Sequence, residues 1–145
     1  MKRDDIALII HDTILNFPKK IEKPEIEFLP KRRFSKYLDL LETKKHVNFT
    51  PCFVAQMKGG RVIYFCKQTV VDFVSGLSHF NQRLFIEAVT LHELFHVWND
   101  IQVRSEGDLV FSEALVHEEL REMFPKHSLL LEKFKAHKDD IRKVI

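Results

Sequence analysis

His92, Glu93 and His96 lie in the stretch Thr90-Leu91-His92-Glu93-Leu94-Phe95-His96-Val97-Trp98, two histidines four residues apart with a carboxylate directly after the first. On a helix, residues four apart differ by only about 40° in direction, so both imidazoles face the same way one turn apart and can meet one zinc ion. Glu93 lies about 100° round from His92, too far to be a ligand from the same turn but able to reach a water on that metal. That is where a general base is needed. The same angular count puts His92, His96, Asn99 and Asp100 on one side of the helix and Leu91, Leu94, Phe95 and Trp98 on the other. The histidines are therefore expected to face a cleft and the apolar side to face the core.

A catalytic zinc site keeps three protein ligands and one open position. The third ligand must come from elsewhere, because Gln102 stands where an HExxHxxGxxH continuation would place its last histidine. The next helical segment carries Glu113, His117, Glu118 and Glu119. Val116, Leu120, Met123 and Phe124 mark its inward side; Glu113 and His117 fall within or beside that arc, Glu119 lies at its far edge, and Glu118 points nearly opposite. A carboxylate on an inward face needs a partner, since burying an unpaired charge is costly. Glu113 is the expected third ligand. His117 is placed to orient a motif histidine or to stabilise charge developing on a substrate, and Tyr64 is a second candidate for the latter.

These residues need elements to position them. Apolar residues at helical spacing predict a first helix over Asp4–Asn16, stopped by Pro18, and alternation predicts a strand over Glu25–Leu29. Ser35 is the expected cap of a helix through Leu41. Cys52–Met57 and Arg61–Cys66 read as the two strands of a hairpin turning at Gly59-Gly60. Thr69–Leu77 reads as a short helix or extended connector. Asn81 is the expected cap of the motif helix, Gln82 to about Ile101, and Ser105–Asp108 is an expected turn. Ser112 is the expected cap of the glutamate helix, which ends before Pro125, and a last amphipathic helix spans Ser128–Val144.

With 145 residues, 45% hydrophobic and 30% charged, the chain suits one globular domain, residues 1–145, that buries a core without disulfides. Its functional core is expected over about residues 50–124, with an N-terminal segment over 1–49 and the helix over 128–144 outside it. A three-residue loop at Lys58-Gly59-Gly60 would set Cys52 opposite Cys66, and a two-residue loop at Gly59-Gly60 would offset them; buried free thiols are favoured either way. The net charge of +2 comes from interspersed acids and bases, and the basic run Lys31-Arg32-Arg33 with Lys36 reads as solvated surface, so no nucleic-acid partner is expected. The absence of a signal core or a twenty-residue apolar span leads to an expectation of a cytoplasmic, unanchored protein.

HELFH followed by Glu113 on a later helix resembles the gluzincin metallopeptidases. The order of hairpin, connector, HExxH helix and glutamate helix in so short a chain is similar to the minigluzincins, compact soluble counterparts of the catalytic domains of certain integral-membrane metallopeptidases. The resemblance spans roughly Thr50–Phe124. It implies an α+β zincin-like domain, with a small, mostly antiparallel sheet packed against the HExxH helix, the glutamate helix and terminal helices. It also implies His92, His96 and Glu113 as ligands of Zn²⁺ and Glu93 as general base. One hairpin strand, Arg61–Cys66, would form the cleft rim along which an extended peptide or protein substrate lies. Latency is implied too, with the helix over 128–144 or the first helix covering the cleft. One position departs: such proteins commonly carry an aspartate four residues after the ligand glutamate, and here it is His117.

The expected function is zinc-dependent peptide-bond hydrolysis. The alternatives are a zinc-stabilised regulatory module without turnover, a processing peptidase selective for one regulatory partner, and a metal-free helical interaction protein.

Overall fold

The structure is a computed structural model that describes residues 2–40, 52–57, 60–101 and 104–133. Helix α1 spans Arg3–Leu15, strand β1 Glu25–Phe28, helix α2 Lys31–Leu40, strands β2 and β3 Cys52–Met57 and Gly60–Phe65, helix α3 Lys67–Val74, helix α4 His79–Asn99 and helix α5 Glu106–Met123. A sixth helix, α6, covers residues 125–133. The expected hairpin turn and the remainder of the expected C-terminal helix lie outside the described residues. The result is an α+β domain.

The three strands pair in the order β1-β3-β2. The β2/β3 pair is antiparallel, but β1 pairs parallel to β3, with Ile26 opposite Ile63 and Phe28 opposite Phe65. The expectation of a mostly antiparallel sheet is therefore corrected to a mixed one. The cause lies in the connection: the chain reverses through α2 before β2, so the return strand of the hairpin runs the same way as β1. β3 is thus central among the described strands and β2 is an edge, which overturns Arg61–Cys66 as a free rim.

Side chains alternate across β3 as the pleat requires. Ile63 and Phe65 enter the main core with α1, α3, α4 and α5, whereas Tyr64 and Cys66 enter a second cluster with Leu29 and with Phe34 of α2. Tyr64 therefore lies on the sheet face turned away from α4 and is no candidate for the cleft. The pairing of Met57 with Gly60 sets Cys52 opposite Phe65, a register that neither expected loop provides. Gly60 has φ 126°, a conformation that glycine adopts without a Cβ penalty. Both cysteines are buried thiols outside any disulfide, one in each cluster.

Ile6, Ile9, Ile10 and Ile14 give α1 its buried stripe, so the core reaches well outside residues 50–124. Edge-to-face contact between Phe17 and Phe95, with ring centroids 5.1 Å apart, ties the end of α1 to the motif helix. The exposed basic residues Lys31, Arg32, Arg33 and Lys36 line α2. Among the described residues no helix is long and apolar enough to cross a membrane.

Candidate metal centre

Three helices begin earlier than their serine and asparagine content suggested. α2 starts directly after Pro30 rather than at Ser35. α4 is capped by Ser78, whose hydroxyl accepts from the Asn81 amide at 3.3 Å, so Asn81 lies inside the helix. In α5, Ser105 accepts from the Asp108 amide at 3.1 Å while the Asp108 carboxylate accepts from the Arg104 amide at 3.0 Å. These two caps turn the expected Ser105–Asp108 turn into the first turn of the helix. Ser112 is thereby carried into the helix interior and is only 3% exposed.

α4 is held at both its middle and its end. Phe85, Ile86, Leu91, Leu94 and Phe95 are buried in the main core. Trp98, expected among them, is exposed, with the Lys19 ammonium 5.4 Å from its ring centroid. Asp100 ends the helix in the left-handed conformation, its amide donating to the His96 carbonyl at 3.1 Å. Arg61 of β3 donates to the Val97 carbonyl at 2.7 Å and pairs with the Asp100 carboxylate, which anchors the turn that carries His96 to the sheet.

The packing of α5 on α4 through Val116 and Leu120 brings the expected ligands together. His92 Nε2 lies 3.2 Å from His96 Nε2 and 3.2 Å from Glu113 Oε2, and His96 Nε2 lies 2.9 Å from Glu113 Oε1. A tetrahedral shell with metal–nitrogen and metal–oxygen bonds of the zinc length has ligand–ligand edges of about 3.3 Å. The two ring nitrogens lie close to that edge and each reaches a different oxygen of Glu113; one ligand atom from each of the three residues lies within 4.8 Å of the others, so the residues present fit an ion. Among the described residues this is the one group of three or more potential ligands that converges. Glu118 is exposed on the other side of α5.

The electrostatics reflect the close approach of these groups. Burial alone would lower the pKa of His92, but the hydrogen bond it donates to Glu113 and the charges of Glu113 and Glu93 raise it above its ordinary value. Burial would likewise raise the pKa of Glu113, yet hydrogen bonds to His92 and His96 and their charges hold its carboxyl far below the usual carboxylate range. The carboxylate is thus kept ionised toward two ring nitrogens, the state a cation needs.

Glu93 is buried, 7% exposed, and Oε1 lies 4.0 Å from the Cys52 thiol at the start of β2. His117 stands beside the cluster, with Nε2 3.7 Å from Glu113 Oε2 and its ring centroid 5.2 Å from that of His92. The sequence reading missed two neighbours of the site. Cys52 looked like an ordinary strand residue. Ser112 looked like a cap, yet its Oγ lies 3.1 Å from His96 Nδ1; its position directly before Glu113 was the available signal. Comparison of the chain with family models, curated proteins and solved structures finds no match, so the functional reading rests on the geometry of the site.

Proposed function

We propose that the chain is a zinc-dependent peptidase in which His92, His96 and Glu113 hold the ion and Glu93 is the general base. The observation that carries this reading is the convergence of two imidazole nitrogens and one carboxylate, each ring nitrogen within 3.2 Å of a Glu113 oxygen, with Glu93 buried on the helix that bears both histidines. Bound there, zinc would lower the pKa of a water and polarise a carbonyl. Glu93, buried on the helix that bears both histidines, would act as the base that takes a proton from the attacking water and returns it to the departing amine. His117, half exposed beside Glu113, is placed to donate toward negative charge on the scissile carbonyl.

The edge strand β2 supports a peptide substrate. It is the strand that packs along α4, and the thiol of its first residue, Cys52, touches the Glu93 carboxylate. As an edge among the described strands, it would offer backbone groups to an extended peptide as a further strand, fixing register through main-chain hydrogen bonds.

The test is the zinc content of purified wild type and Glu93→Gln, together with hydrolysis of casein. The expected result is one zinc per chain in both and cleavage by wild type only, with the variant slower by about 10²–10⁴-fold. Zinc in both without cleavage directs the next experiment to truncations at either terminus, as a latent form would require. Zinc in neither refutes the reading.

A further inference from the structure

We propose that Ser112 is a positioning residue for the metal centre: its hydroxyl accepts the Nδ1–H of His96 and so fixes the tautomer in which Nε2 faces His92 and Glu113. A neutral imidazole carries one N–H, so Nε2 can accept a cation only when the proton sits on Nδ1. Oγ of Ser112 lies 3.1 Å from that Nδ1, while the other nitrogen of the same ring lies 2.9 Å from Glu113 Oε1. Two consecutive residues of α5 therefore contact His96, one at each ring nitrogen; the bond from Nε2 to the ionised Glu113 needs a proton on Nε2, which an ion entering the site would displace, leaving the ring proton on Nδ1 toward Ser112. Ser112 is 3% exposed. A buried hydroxyl costs stability unless it is hydrogen-bonded, and His96 supplies such a partner from the facing helix.

The two tautomers have different consequences. If Ser112 donated to Nδ1, the ring proton would sit on Nε2 and point at Glu113, closing the site to an ion. If Ser112 accepts, Nε2 presents its lone pair to the point where His92 and Glu113 also converge, and the ring cannot swing about its Cβ without breaking the contact. Orienting partners of this kind typically alter metal affinity by about 10–100-fold when removed.

This inference rests on the zinc reading, and its test separates the two. Zinc affinity is measured by competition with a chromophoric chelator for wild type, Ser112→Ala and Ser112→Thr, and the metal-free melting temperature of each serves as the control for folding. Ser112→Ala is expected to bind zinc about 10–100-fold more weakly with its metal-free melt unchanged, and Ser112→Thr, which keeps the hydroxyl, to recover affinity. In zinc-loaded wild type, nitrogen-15 spectra of labelled histidine should show His96 protonated at Nδ1 with a slowly exchanging proton, a measurement that needs no variant to fold. Wild-type affinity in Ser112→Ala, or zinc-loaded His96 protonated at Nε2, would overturn the role of Ser112 and leave the zinc site standing. Wild type that takes up no zinc would overturn both.

Discussion

Replacing Glu113 by alanine should separate metal binding from folding. In the metal-free protein the Glu113 side chain is 40% exposed, so solvent screens its pairing with His92 and His96 and its loss should cost no more than about 1 kcal/mol. With zinc the situation differs. An ion present at about a thousand times its dissociation constant stabilises the native state by about 4.1 kcal/mol. Loss of one of three direct ligands should weaken binding by at least the roughly 100-fold that an orienting partner alone can contribute. At the same zinc concentration the stabilisation then falls to about 1.4 kcal/mol, a loss of about 2.7 kcal/mol. At about 2–4 °C per kcal/mol for a chain near this length, the zinc-induced rise in melting temperature should shrink by about 5–11 °C. The assay is thermal unfolding by circular dichroism, with chelator and with zinc, for wild type, Glu113→Ala and Glu118→Ala. A full zinc shift in Glu113→Ala, or its loss in Glu118→Ala, would refute the assignment of the third ligand.

Five other outcomes are expected. Zinc affinity, followed by chelator competition across pH, should fall as pH drops through the raised pKa of His92, because a protonated imidazole has no lone pair for the ion. The metal-free fold should show a different trend: the raised His92 pKa contributes stability that is fully present below its ordinary value near 6.5 and lost as pH rises through the folded value, while the depressed Glu113 pKa contributes stability above about 4.5 that is lost toward acid. Phe95→Ala, which empties a fully buried site against Phe17 and Phe124, should cost about 3–5 kcal/mol by urea denaturation. Arg61→Ala should cost about 1 kcal/mol through the lost bond to the Val97 carbonyl, and Asp100→Ala no more than about 1 kcal/mol, since that carboxylate is 71% exposed.

Much of the site was legible along the chain because its parts are local. The spacing of His92, Glu93 and His96 depends only on helical periodicity, and the apolar arc of Val116 and Leu120 was enough to choose Glu113 over Glu118. The hairpin was legible from its glycines and β-branched residues. Helix starts were less so, because Ser35, Asn81 and Ser112 are all chemically suited to caps, and a serine inside a helix looks the same in sequence as a serine before one. In α5 the capping bonds of Ser105, Asp108 and Arg104 decided the matter.

By itself, then, the order of residues determined which side chains share a helical face, and hence which donors could meet an ion. Tertiary structure alone decided three further things. It set β1 parallel to β3, leaving β2 as the edge beside α4. It turned Tyr64 to the far side of the sheet while bringing Cys52 to the Glu93 carboxylate. It also seated Ser112 against His96. The physical reason is common to all three: strand order, sheet face and helix–helix contact depend on which buried surfaces pack together across long chain separations, and no local periodicity encodes those choices.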